Sequence, residues 1–404
     1  MTASRRPVQA GGMYFRSVTA ENAAVHAVAQ RAILWQRDSV WELHIQPRFQ
    51  RGRGAGAWVV PFPVEPVVEP SSPALFNQLE LLTAPLFVDF CVVEGGGHGN
   101  GNGVEVQSGE GYVEFWQEGE VGELDFTVLS ASDGDVAMDW LETHGYAVDA
   151  AAQTVFDQYQ NEEVFFFVGR LDNTMTPAAP LAPVRFVLPG LYPPTYPLRL
   201  STLGLPAAET VDLTLWIVFS PDEGYVPSVR QYRPFGTGFQ SAAAYGEALE
   251  TELAASDELL IQFAGNFGTE ERFSAIEDGE LCIPGIGCLL YAEVGLSPPQ
   301  DWRPEIDEMT AAESWVYRYR ARLSAAAMDQ ELTFRSVNTG ELPAMDNFYR
   351  NSLGVCAGGE ESSQLRGCNA AAGRSGPWKT ALWGVLWCVF CVLMGLRRWK
   401  TKRI

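Results

Sequence analysis

Hydrophobic and polar residues alternate most cleanly over residues 31–49, RAILWQRDSVWELHIQPRF. Ile33 and Trp35 share one face, Trp41, Leu43 and Ile45 share another, and Asp38-Ser39 sits where a turn joins two strands, so the pattern predicts an antiparallel hairpin. His44 falls on a strand face with Glu42 and Gln46, opposite the apolar set, and is expected to look into solvent. A short strand follows over residues 57–60. Pro61 and Pro63 close it, and because proline cannot donate to a central ladder, the strand is expected at a sheet edge or end there.

Ser72 and Pro73 supply an N-cap and a first-turn proline for a helix over residues 74–83. Its stripe is Leu75, Phe76, Leu79 and Leu82, and Pro85 stops it. Residues 111–116 and 123–130 alternate apolar and acidic side chains around a turn-like stretch at 119–122, a second hairpin. A helix over 135–144 places Val136, Ala137, Trp140 and Leu141 inward and ends at Gly145, the expected left-handed stop; a further helical stretch covers 150–159. Strands are expected over 164–169, 183–188, 197–202 and 210–219, the last rich enough in β-branched and aromatic residues to be central. A capped helix over 241–255, a short strand over 259–263 and alternation over 314–323 complete the body. Strands and helices mix without regular alternation or internal repeat, which predicts an α+β fold of mainly antiparallel sheets with a few packed helices.

Residues 353–377 are Gly, Glu, Ser and Ala with little to bury, and read as a flexible linker. They lead into WKTALWGVLWCVFCVLMGLRRWKTKRI, whose uncharged run spans about 25 Å as a helix at about 1.5 Å per residue. That predicts one C-terminal transmembrane helix over 378–398, anchored by Trp378 and Trp399 at the interfaces and by Arg397 and Arg398, with a basic cytoplasmic tail over 399–404. The positive-inside rule then puts the body outside the cytoplasm. Export needs a leader, and MTASRRPVQA lacks a hydrophobic stretch although Val8-Gln9-Ala10 has the look of a cleavage site. Residues 1–10 are therefore expected to be disordered or the remnant of a signal peptide, the start having been assigned too far downstream.

Charge removes several function classes. The chain carries 28 basic and 50 acidic residues, a formal net charge of -22, and no acid follows Gly373. An acidic body repels phosphate backbones, so no nucleic-acid partner is expected. The lysines, Lys379, Lys400 and Lys402, all lie in the tail, which excludes a P-loop, Schiff-base or kinase-type lysine in the body.

The body's cysteines are Cys91, Cys282, Cys288, Cys356 and Cys368, an odd set that leaves one thiol over. Cys282 and Cys288 enclose a Pro-Gly turn, and Cys356 and Cys368 bracket a Gly/Glu/Ser-rich stretch; each pair can close a local loop in an oxidising compartment. Neither CxxC nor HxxxH accompanies them, which disfavours zinc. GxSxG, HExxH and an EF-hand loop are absent, and His26, His44, His98 and His144 are scattered, the last at a helix end where a cation complements the dipole. Acidic pairs at Asp133/Asp135, Glu118/Glu120 and Glu162/Glu163 have the residue type for glycoside hydrolysis, but a chain so acidic contains such pairs by chance. The run EGGGHGNGNGV fits neither GxGxxG nor a calcium nonapeptide, whose Asp position is Gly101, and reads as a solvent-exposed connector. No catalytic, cofactor or metal residue is singled out, and no cofactor is expected.

Several stretches in fixed order resemble a bacterial family of exported proteins known as domain-of-unknown-function family 2330. They are the first hairpin; Ala57, Trp58, Val59, Pro61 and Pro63; Ala74, Leu75, Phe76, Thr83 and Pro85; and Trp140, Leu141, Gly145 and Tyr146. RYRARLSAAAMDQELTF through MDNFYR looks like that family's C-terminal part. The resemblance implies one family-like domain, its N-terminal part over 11–235 and its C-terminal part over 236–352. Members usually open with Cys-Gly-Gly and an aromatic pair, whereas this chain has Ala10, Gly11, Gly12, Met13, Tyr14 and Phe15. The tail is also similar to myxobacterial sorting tails through Gly367-Cys368, the Trp378 span and Arg397-Arg398, which would make Cys368 an attachment residue and place the body on the cell surface.

The sequence therefore predicts a single-pass, membrane-anchored extracytoplasmic protein, a noncatalytic binding or structural module of the bacterial envelope. An envelope protein or polysaccharide is the expected partner. The alternative is an extracytoplasmic hydrolase using a carboxylate pair.

Overall fold

The computed structural model describes residues 12–18, 26–38, 40–50, 55–88, 117–131, 134–148, 150–159, 164–171, 181–203, 205, 210–236, 239, 242–266, 280–283, 287–290, 303–338, 341–342 and 348–350. The first hairpin forms as its alternation requires. His26–Arg37 pairs antiparallel with Val40–Gln50, Arg37 opposite Val40, and Asp38 takes the left-handed conformation (φ 49°) that a tight turn demands.

This hairpin lies within an eight-stranded sheet. Its order is Tyr232–Pro234, Leu259–Asn266, Trp315–Ser324, Thr210–Phe219, His26–Arg37, Val40–Gln50, Val184–Leu188, Val67–Pro70. The sheet takes strands from both sides of residue 235. Most pairs are antiparallel, but Thr210–Phe219 runs parallel to His26–Arg37 at the centre. Both sides of the strand TVDLTLWIVF are covered, so even Asp212 and Thr214 on its outer face are buried. Val211, Leu213, Leu215, Ile217 and Phe219 enter the main core, while Trp216 and Val218 face the other way.

A five-stranded antiparallel sheet, ordered Met13–Arg16, Gly56–Phe62, Val164–Leu171, Leu124–Ala131, Gln117–Val121, packs face to face with the larger one. Aromatic rings fill the space between them: Phe186 of the large sheet meets Phe62 at 4.7 Å, Phe167 at 5.0 Å and Trp58 at 6.3 Å between centroids. Helices Gly134–Thr143 and Ala150–Phe156 cover the outer face of the small sheet, through Ala137, Leu141 and Phe156 against Ala57, Val59 and Phe166. Helices Pro73–Thr83, Arg303–Ala311 and Ala242–Ala255 cover the outer face of the large one. The order of layers is helix, sheet, sheet, helix. A three-stranded sheet, Thr195–Tyr196, Leu332–Val337 and Gly224–Pro227, adds to the core, Tyr225 stacking edge-on against Trp41 at 5.0 Å.

Several expectations hold in detail. Ser72 accepts from the Ala74 amide at 3.2 Å, Pro73 opens its helix, and Leu75, Phe76, Leu79 and Leu82 are all buried. Gly145 ends the next helix at φ 81°. The strand containing Pro61 is interior to its sheet. Its neighbour on one side, however, stops opposite Val59, so it has an open edge at the proline.

Others are corrected. The second hairpin turns at Gly122-Glu123 and its first strand is Gln117–Val121, so residues placed in the turn are strand; 111–116 lie outside the described residues. The stripe of Gly134–Thr143 is Ala137, Met138 and Leu141, with Val136 49 % exposed, because the small Ala137 side chain is the one turned toward the sheet. Residues 199–202 form a 3-10 turn, not a strand, since the Leu198 and Arg199 amides are claimed by the Glu331 carboxylate and not by a neighbouring strand. Among the described residues no helix is long and apolar enough to cross a membrane; the expected span over 378–398, the linker over 353–377 and the glycine run lie outside them.

Trp58, fully buried between the sheets, should be the costliest single truncation of the sandwich. Trp58→Ala is expected to lose about 3–5 kcal/mol in equilibrium denaturation, seen as a lower urea midpoint; a midpoint shift equivalent to under about 1 kcal/mol would contradict this packing.

Candidate functional site

Two places in the described residues concentrate chemistry. The first is the outer face of the large sheet, where His44 lies. Cross-strand register sets Trp216, Ile33, His44, Arg185 and Glu69 in one row across five strands. His44, Glu42 and Gln46 are 3, 3 and 4 % exposed, which overturns their expected place in solvent. Helices Pro73–Thr83 and Arg303–Ala311 cover that face, so the alternation is right and the solvent assignment wrong.

Within this layer His44 Nδ1 is 2.8 Å from Ser71 Oγ and Nε2 is 3.5 Å from Glu42 Oε2. With Nε2–H turned to the carboxylate, Nδ1 is left to accept the Ser71 hydroxyl. That is the polarity of a serine, histidine and acid relay, but Glu42 is already committed. Its Oε1 accepts from Arg185, which also holds Glu69 at 3.0 Å, and Arg37 approaches Glu42 at 3.9 Å while gripping Glu308 of the covering helix. Burial pushes His44 below its ordinary value of 6.5, with Glu42 opposing. Burial raises Glu42, but His44 and Arg185 outweigh it and hold the carboxyl below its ordinary value. The arrangement suits a latch between sheet and helices.

The second place is a cavity of about 370 Å3 where Gly56–Phe62 and Val184–Leu188 end and the three-stranded sheet begins. Pro61, Pro63, Leu188, Leu191 and Pro197 make its apolar wall, and Val229, 45 % exposed, stands at it. Its charged residues are Arg199 and Glu331. Glu331 accepts from the Tyr159 hydroxyl at 2.7 Å, from the Arg199 amide at 3.1 Å and from the Leu198 amide, and so ties the 3-10 turn to the helical segment before Val164–Leu171. The Arg199 guanidinium lies over the Tyr159 ring, 5.5 Å from its centroid. A mostly apolar concavity with few convergent polar groups is the usual form of a ligand site.

Residues 17–224, just over half of the chain, match the family described as uncharacterized proteins conserved in bacteria, DUF2330. The chain belongs to that family. The matched region supplies the small sheet except its edge strand Met13–Arg16, the central strand of the large one and most of the cavity wall, whereas Val229, Gln330, Glu331 and Thr333 lie beyond it. Comparison with curated proteins and with solved structures gives no match.

The residues singled out from the sequence fall elsewhere. Cys282 and Cys288 are directly opposed in the hairpin Glu280–Ile283 and Gly287–Leu290. Cys356, Cys368, Trp378, Arg397, Arg398 and Trp399 lie outside the described residues, as do His98, Asp133, Glu162 and Glu163. Glu118 and Glu120 are exposed on the outermost strand of the small sheet, and Asp135 is exposed and accepts from Gln153. His144 donates from Nδ1 to the Trp140 carbonyl at 2.7 Å, a second donor on an oxygen that also accepts from the His144 amide at 3.0 Å. No group of three or more His, Cys, Asp or Glu among the described residues is placed to hold a metal. Sequence reasoning missed Tyr159, Arg199 and Glu331. The only hint was the density of prolines and aromatics in LYPPTYPLRL.

His44 should make stability depend on pH. Burial holds its folded-state pKa below the 6.5 of the unfolded chain, so the unfolded chain binds the proton first and stability present above that value is lost as pH falls. Urea melts from pH 7.5 to 5.0 are expected to show stability falling as pH drops through 6.5, by at most about 1.4 kcal/mol per unit for this one group. His44→Gln should remove most of that slope; an equal slope in the variant would place the titration elsewhere.

Proposed function

We propose that the protein is a noncatalytic binding module held at the outer side of the bacterial cell membrane by its C-terminal segment, with the cavity at Arg199 and Tyr159 as its ligand groove. The observation that carries this is the composition of the groove. Glu331 is the one carboxylate among its lining residues, and the oxygens of that carboxylate are engaged by Tyr159 and two amides. Carboxylate-pair hydrolysis needs two free carboxyl groups about 5–9 Å apart, which the groove does not supply.

Topology rests on the sequence: the apolar stretch over 378–398, Trp378 and Trp399 flanking it, and the basic residues after it. The opposed register of Cys282 and Cys288 supports an exported body, because directly facing residues of an antiparallel pair lie within disulfide reach, about 4.5–5.5 Å between Cα atoms. Protease shaving of intact cells should release the body, and its non-reducing peptide map should contain a Cys282–Cys288 cross-link. A body protected from protease, with both thiols free, would overturn the topology.

A second experiment addresses catalysis. Ser71, His44 and Glu42 form the arrangement nearest to a nucleophilic relay. As a structural latch, Ser71 should not react with a fluorophosphonate probe at neutral pH. Labelling that disappears in Ser71→Ala would replace the binding reading with a hydrolase.

A further inference from the structure

Arg199 has chemistry the fold does not use. Its Nε is buried without a hydrogen-bond partner among the described residues, and its guanidinium lies over the Tyr159 ring, 5.5 Å from the centroid. Glu331, the carboxylate of the same groove, does not answer it: Oε1 takes the Tyr159 hydroxyl at 2.7 Å, and Oε2 takes the amides of Leu198 and of Arg199 itself. Glu331 therefore fixes the backbone and the aromatic platform under Arg199, and its oxygens are taken by donors other than the guanidinium. Arg199 is half-buried and lines the groove, and a planar carboxylate is the acceptor that matches the geometry of a guanidinium.

The remaining wall sets the rest of the ligand. Pro61, Leu188, Leu191 and Pro197 offer apolar surface and almost no donors. A cavity of about 370 Å3 lies at the small end of the usual range for small-molecule sites, about 300–1,000 Å3, which suits a small ligand. We propose that the groove binds a small monocarboxylic acid with an apolar, aryl or short aliphatic body, its carboxylate on Arg199 and its body against the proline and leucine wall. This rests on the reading of the cavity as a binding groove, which it deepens by naming the ligand class.

The test uses the full chain in nonionic detergent and isothermal titration calorimetry with 3-phenylpropionate, its neutral isostere 3-phenylpropanamide, and the tripeptide Ala-Ala-Phe with a free C-terminus. The acid is expected to bind at least about tenfold more tightly than the amide, the worth of one charge-assisted hydrogen-bonded contact. Arg199→Gln should abolish that preference with little change in melting temperature, and Arg199→Lys should keep part of it. Val229→Trp, at an exposed position of the wall, should weaken acid and amide alike. Equal binding of acid and amide, with both lost in Val229→Trp, would overturn the carboxylate assignment and leave the groove standing. Tighter binding of the tripeptide than of the free acid would assign the site to chain termini and overturn the small-acid reading. Absence of binding by all three probes, or binding indifferent to Val229→Trp, would overturn the inference and the groove together.

Discussion

The eight-stranded sheet is buried on both faces, and most other features follow from that constraint. One face is covered by a second sheet and is apolar, filled by Leu34, Leu43, Phe186, Ile217 and Tyr319. The other is covered by helices and is not wholly apolar: it carries Arg31, Glu42, His44, Arg185, Arg318 and Arg322 among Ile33, Trp35, Trp216 and Val218. Polar groups taken from water must find partners, so each helix brings them. Glu80 meets Arg318, Asn77 meets Arg31 at 3.1 Å, Glu308 meets Arg37, and Glu250 joins Asp212 on Arg322. Trp216 donates to Thr83 at 2.9 Å, which itself donates to the Leu79 carbonyl. These bonds set which helix lies over which strand, a specification that apolar contact alone would leave loose.

The same economy explains where the groove is. In the middle of the sandwich most of the charged side chains are paired between sheet and helix. Where the strands run out, the chain turns through Pro193, Pro194 and Pro197, none of which can donate, and the two amides that follow find a side chain. Glu331 supplies the acceptor, and its oxygens take those amides and the Tyr159 hydroxyl. A backbone requirement at the end of a sheet has thereby produced a cation beside an apolar wall.

Local pattern gave the elements wherever one residue type has one mechanical role. Ser72 and Pro73 start a helix, Gly145 ends one and Asp38 turns a hairpin, because each acts on its own few residues. The pattern erred where a distant partner decides. Residues 199–202 had the composition of a strand, but a carboxylate more than a hundred residues away took the amides of Leu198 and Arg199 at its start. Val136 matched the helical stripe, yet the sheet beneath accepted Ala137 and Met138 instead.

By itself the sequence determined the α+β class, the central place of Thr210–Phe219, membership in a recognisable family and the set of residues that share each strand face. The reason is that side-chain period and turn chemistry are local. Only tertiary structure decided which of those faces meets water. Alternation placed His44 with Glu42 and Gln46, and it could not say that helices Pro73–Thr83 and Arg303–Ala311 would close over them. Nor could it bring Tyr159, Arg199 and Glu331 together, since their meeting depends on how three separate strand ends converge and not on any spacing along the chain.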